Sequence, residues 1–147
     1  MLTDSRTTFG LPVALNTGGA DTYVIGDQID LTAFPVDQGV GIPFYWWVAV
    51  AAAATSGGSA TATFQLVTAE NAALTTNPVV MMTTPTFTVA SMTLGKFLFA
   101  APIPFGDYKR YMGIRQVTGT AAFTAGSLNS FLTQEPDRWR PYPEGLN

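Results

Sequence analysis

The 147-residue chain contains no cysteine and no histidine. Without cysteine there is no disulfide framework and no thiol chemistry, so stability has to come from packing and assembly. Without histidine, the commonest general base and the commonest metal ligand are both missing. Charge is scarce too: 12% of the residues are Asp, Glu, Lys or Arg, against a usual share of about 25%. So little charge predicts that much of the surface is hidden against copies of the chain or a partner. The net charge of −3 argues against nucleic acid as a principal partner, because phosphate binding requires clustered Lys and Arg. No apolar run reaches the roughly 20 residues of a membrane-spanning helix. No basic segment followed by an apolar one opens the chain, so no secretory signal is expected.

What is present is a run of eleven apolar residues, Phe44 to Ala54, bounded by Pro43 and "TSGGS". Its alanines suit a helix, but Phe44, Tyr45, Trp46, Trp47, Val48 and Val50 prefer a pleated surface. After the break, "TATFQLV" alternates, with Ala62, Phe64 and Leu66 on one face and Thr61, Thr63, Gln65 and Val67 on the other. Two long strands joined by a loop at Thr55–Ser59 satisfy both patterns.

Turn signals recur every 8–12 residues along the rest of the chain, the spacing of short antiparallel strands. They predict strands at Pro12–Leu15, Thr22–Ile25, Ile29–Thr32, Pro43–Ala52, Ala60–Thr68, Val79–Thr83, Thr86–Met92, Lys96–Ala100, Arg110–Thr118 and Ser127–Thr133. No helical period persists for three turns, and "AENAAL" is expected to form a single turn. The expected fold is all-β: a two-sheet antiparallel sandwich, better matched by a jelly roll than by a meander. Leu128, Leu132, Met112 and Ile114 are assigned to its core. The sandwich is expected to span residues 1–133, with an extended N-terminal arm before the first strand and a proline-rich tail over 134–147.

Residues 1–70 carry a net charge of −5 and residues 71–147 a net charge of +2. Two ordinary solvated faces are the simpler reading of that asymmetry, and steering between neighbouring subunits is the alternative. The tail, "QEPDRWRPYPEGLN", is more pointed. Pro136, Pro141 and Pro143 forbid ladder pairing, while Arg138, Trp139, Arg140 and Tyr142 are of the types most enriched at binding hot spots. Burying both rings removes on the order of 300–500 Å² from water, worth roughly 8–12 kcal/mol. Ordering fourteen residues costs about 1–2 kcal/mol each. Such a tail holds a partner only with help from the domain body or from several copies. Folding back on its own domain is an equally good reading of it.

Two stretches, "ATFQLVTAENAALTTNPVV" and "DYKRYMGIRQVTGTAAFTAGSLNSFLT", together with the opening "MLTDSRTTF", resemble the jelly-roll cement, or decoration, proteins of tailed-bacteriophage capsids. The resemblance is good over about residues 60–133, weak over the first ten and poor over 17–45; the Gly26–Gly41 insertion and the tail depart from it. It implies a non-enzymatic structural protein with no cofactor and no metal, made in the host cytoplasm and carried on the outer surface of the virion. Its partners would be the major capsid protein, whose subunit contacts it stabilises, and itself, as a homo-oligomer with a dimer favoured over a trimer. Neither a nucleic acid nor a membrane is an expected partner. The residues nominated for the capsid clamp are Leu2, Arg6 and Phe9 in the arm and Arg138, Trp139, Arg140 and Tyr142 in the tail.

Rival readings are weaker. Jelly rolls also host carbohydrate-binding modules, and Trp46–Trp47 invites a sugar platform. Neighbours in a strand point to opposite faces, however, so at most one of the two rings can serve. Asp21, Asp27 and Asp30 lie close in sequence without the spacing of a calcium loop. Glu70 or Asp107 could be nominated for a carboxylate pair, but no phosphate loop, nucleophile elbow or metal-ligand spacing accompanies them. No catalytic residue is assigned.

Overall fold

A computed structural model describes residues 7–32 and 43–136. Nine strands lie among the described residues: β1 (Thr8–Ala14), β2 (Thr22–Asp30), β3 (Tyr45–Ser56), β4 (Thr61–Ala69), β5 (Val79–Thr83), β6 (Phe87–Thr88), β7 (Phe97–Pro102), β8 (Tyr111–Gly119) and β9 (Phe123–Thr133). One sheet has the order β1-β9-β3-β7. The other has the order β2-β8-β4-β5, with β6 also paired to β4. All pairings are antiparallel. Strands near in sequence are split between the sheets while β9 and β8 return between earlier strands, which is the interleaved order of a jelly roll.

The apolar run is a strand. Alternation is lost there because β3 is central in its sheet and its Trp46–Val50 stretch is buried on both faces, while Ala52 and Ala53 are exposed. Trp46, Val48 and Val50 enter the core between the sheets, while Trp47 and Ala49 join Phe131 in a second cluster on the outer face. In β4 the alternation holds as expected: Ala62, Phe64 and Leu66 are in the core. Leu128, Leu132, Met112 and Ile114 are there too. The single turn in "AENAAL" forms as Leu74 N–H donates to the Asn71 carbonyl at 3.0 Å. Asn71 Oδ1 then accepts from the Thr75 and Thr76 amides, each at 2.9 Å.

Three expectations need correction. Thr22–Ile25 and Ile29–Thr32 are one strand, β2, with a register break between Ile25 and Ile29. Gly26 lies in that break with φ +68°, and a Cβ there would stand 2.4 Å from the Phe9 carbonyl oxygen. Glycine is needed because β1 passes so closely, not because the chain turns. The strand expected over Thr86–Met92 lasts two residues, then gives way to a 3-10 turn at Val89–Ser91. Ser91 Oγ accepts from the Thr88 amide at 3.0 Å and donates to the Thr88 carbonyl at 2.8 Å, drawing the backbone out of the ladder. Finally, β1 starts at Thr8, earlier than the expected Pro12.

One buried polar residue ties the sheets' connections together. Gln116 on β8 accepts from the Asn16 amide at 2.9 Å through Oε1. Its Nε2 donates to the Asn16 carbonyl at 3.1 Å and to Thr118 Oγ1 at 2.8 Å. The β1–β2 connection is thereby fixed to a strand a hundred residues further on.

Candidate interaction surfaces

The early start of β1 decides one nominated residue. Phe9 is fully buried among core side chains, so its ring fills the sandwich and is not available to a partner. Sequence reasoning misplaced it because the first strand was expected only from Pro12, which left Phe9 in a free arm, whereas β1 begins at Thr8 and runs through Gly10 and Pro12 as an edge strand with register shifts. Leu2, Arg6, Arg138, Trp139, Arg140 and Tyr142, with all but the first residues of the proposed tail, lie outside the described residues.

The points from which those segments depart are described. Thr8, the first residue of β1, pairs with Phe131, and Thr133, the last of β9, pairs with Tyr45. The two ends of the sandwich chain therefore lie side by side at one corner of one sheet. Trp47 is at the same corner, stacked on Phe131 with ring centroids 4.8 Å apart and 5.7 Å from Phe97.

Neither tryptophan offers an open platform for a sugar ring. Trp46 is wholly in the core, its Nε1 donating to Ser130 Oγ at 3.0 Å. Trp47 is buried in its outer-face cluster.

Two of the three aspartates weighed for a cation, Asp21 and Asp30, have other work. Asp21 Oδ1 accepts from the Thr22 amide at 2.7 Å. Asp30 forms an ion pair with Arg110 at 3.1 Å and accepts from both the amide and hydroxyl of Thr32. The hydrogen bond from Arg110, helped by Thr32, holds the Asp30 carboxyl down at about 2, and the Arg110 guanidinium is correspondingly raised. Arg110 also lies over the Tyr111 ring, 5.0 Å from its centroid. Among the described residues no three acidic side chains converge as a metal site.

One open groove of about 640 Å³ lies at an end of the sandwich, lined by Gly58–Thr61, Thr88–Ala90 and Thr120. Its wall is small and mostly uncharged, with hydroxyls at Ser59, Thr61, Thr88 and Thr120. Such a surface can pack against an apolar side chain but holds no general base or cation. Thr120 has φ +68° at the centre of a three-residue turn closed by the Ala121 amide on the Gly119 carbonyl at 2.8 Å. That conformation is strained for a β-branched residue.

Large apolar side chains reach solvent in an uneven pattern. Phe105 is 84% and Leu94 73% exposed; Val80, Val79, Leu11 and Val24 are also open. No sequence signal marked Phe105 or Leu94, because each sits in a turn-rich loop where exposure depends on how the loop folds.

A protein-family model described as Bbp16 matches residues 18–132 of this chain. That span runs from just before β2 through nearly all of β9. A search of curated proteins finds no match.

Proposed function

Because the chain belongs to the phage-related Bbp16 family, we propose that it is a structural cement protein, bound to the outer surface of a phage head and holding major capsid subunits together. The observation that carries this reading is the common corner at which the described sandwich begins and ends, with Thr8 beside Phe131 and Thr133 beside Tyr45. The arm with Leu2 and Arg6 and the tail with Arg138, Trp139, Arg140 and Tyr142 are rooted there together. Two segments 130 residues apart in sequence can then act as one clamp. The jelly roll is the rigid body that carries it.

The mechanism is additive. Each copy contributes modest contacts to two or more capsid neighbours, and repetition over the shell makes removal of any one subunit costly. No covalent chemistry, cofactor or metal takes part. The protein acts as a homo-oligomer, a dimer before a trimer, so that the clamps are presented in multiples.

The test is cosedimentation of the purified chain, and of a version ending at Thr133, with phage heads lacking it. Saturable binding by the full chain that weakens on truncation supports the cement role and the tail's part in it. Binding by neither form rejects the cement role. Equal binding by both removes the tail from the clamp.

A further inference from the structure

The loop that follows β7 carries Phe105, the most exposed large apolar side chain among the described residues. A lone apolar side chain in water needs no explanation, but a ring held outward by a fastened loop does. This loop is fastened on both sides of the ring. Before it, the Ile103 amide donates to the Phe44 carbonyl at 2.8 Å. The Pro104 carbonyl accepts from the Tyr108 hydroxyl, and the proline ring fixes the backbone φ one residue ahead of Phe105. After it, Gly106 stands against the tip of Met81. The Lys109 amide donates to Thr68 Oγ1 at 2.7 Å, and the Lys109 ammonium donates to the Asn77 carbonyl. Burial pushes the Tyr108 hydroxyl up to about 12, so it keeps the proton that holds Pro104. Ile103 and Tyr108 both pack against the core. The side chains on either side are spent on the sandwich, and the ring between them is not.

The loop's place in the fold matters as much as its bracing. Tyr45 pairs with Thr133 on one side and with Pro102 on the other. Neighbouring strands lie about 4.8 Å apart, so the ends of β9 and β7 are about 10 Å from each other. Phe105 therefore stands at the same end of the sandwich as the corner where its described chain begins and finishes. Leu94, the other strongly exposed apolar residue, lies elsewhere. Gly95 donates to the Val50 carbonyl while Ile103 donates to that of Phe44, a separation of roughly 20 Å along β3.

We propose that Phe105 is a preformed anchor of the clamp, its ring entering an apolar pocket on a major capsid subunit beside the contacts of the arm and tail. The inference rests on the cement reading and supplies the fixed point that two long segments lack. The surroundings of the ring select a protein pocket as its receptor. Pro102 and Pro104 have no N–H to offer a sugar. The nearby cations are engaged, Lys109 by the Asn77 carbonyl and Arg110 by Asp30, and exposed Asp107 disfavours a phosphate or an anionic membrane. Aromatic side chains are the type enriched where protein surfaces meet. A ring already held in place loses little freedom on binding, so its burial is worth about ten- to a hundredfold in affinity.

The test is cosedimentation with heads lacking the protein, run on the full chain as wild type, as Phe105→Ala and as Leu94→Ala. Thermal melts confirm that each variant is folded, and sedimentation velocity compares their self-association. The expected result is equal binding by wild type and Leu94→Ala, with Phe105→Ala weaker by about fivefold or more. A smaller loss, or one that Leu94→Ala shares, overturns the anchor while the wild type's binding keeps the cement role. A Phe105→Ala that also self-associates less places the ring against a second copy and overturns the capsid pocket. A wild type that binds no heads rejects the cement role, and the capsid pocket with it.

Discussion

Replacing Gln116 by leucine tests whether the sandwich depends on its one buried amide. The change keeps the side chain's approximate bulk but deletes three hydrogen bonds, two to the Asn16 backbone and one to Thr118 Oγ1. A typical bond contributes about 0.5–1.5 kcal/mol net, and a buried group left without a partner costs about 1–3 kcal/mol. Asn16 is half-buried, so water can reach part of what is lost. Thr118 is buried. Together these give an expected loss of about 2–4 kcal/mol, set against a total stability of about 5–15 kcal/mol for a domain. Urea unfolding followed by the fluorescence of Trp46 and Trp47 measures it, at fixed protein concentration because assembly would add to apparent stability. Gln116→Glu sharpens the test. A carboxylate at Oε1 and Oε2 faces the Asn16 carbonyl with no proton to offer, in a site with no exposure to water. Burial raises the folded-state pKa of that new acid, so the penalty is full at neutral pH and shrinks as pH falls through the raised value. The leucine variant should therefore be weakened at every pH, and the glutamate variant most at neutral pH. A leucine variant within about 0.5 kcal/mol of wild type, or a glutamate variant whose deficit does not change between pH 7 and 5, refutes the reasoning.

Ser130→Ala removes the acceptor of the Trp46 indole N–H inside the core and should cost about 1–3 kcal/mol, read in the same urea assay; a neutral change would mean that the indole bond is dispensable. Thr120→Gly relieves a left-handed conformation that costs about 1–2 kcal/mol and loses up to about 1 kcal/mol through the freer unfolded chain. The melting temperature should stay level or rise, and a clear drop would contradict the assigned strain. Asp30 has its carboxyl held at about 2, below its ordinary 3.8, so its contribution is present above about pH 4 and fades as pH falls towards 2. Asp30→Asn should be the less stable protein at pH 6 and converge on wild type near pH 2 by chemical denaturation. A gap independent of pH would remove the ion pair as its cause.

The strands were legible where more and less buried side chains alternate, as over Thr61–Leu66 in β4 and Ile114–Gly119 in β8. They were legible in β3 for a different reason: aromatic and β-branched residues outweighed an alanine run that helix propensity alone favours. Two of the misses, at β1 and β2, share a cause. At Gly10 and Gly26 glycine breaks the strand pattern, but a neighbouring strand is paired or packed alongside and the ladder continues through register shifts. That is tertiary packing overriding a local preference, and no window of sequence contains it. Phe9 was nominated for the surface on that error. The strands at the sheet margins were hidden for a related reason: which strands lie there follows from the interleaved sheet order and not from composition. Of the candidate clamp, the sequence offers residue types, and the structure adds that their two segments start together.

A sandwich of this size can reach solvent through charged outer faces, yet this chain spends few charges. Its polar surface consists largely of threonine, as in the Thr55–Thr124 and Thr63–Thr86 hydroxyl pairs that link neighbouring segments at 2.7 and 2.8 Å. Hydroxyls keep a strand hydrated without repelling a neighbour of like sequence, which suits a protein that meets many copies of itself. If copies associate as proposed and one corner of each carries both ends of the described sandwich, a dimer presents two clamps at a fixed separation. The second clamp then engages at an effective concentration set by the rigid body between them, and avidity can exceed either contact by about 10²–10⁴-fold. Weak individual contacts are enough under that arrangement, and a tail whose ordering cost nearly cancels its burial becomes an adequate tether.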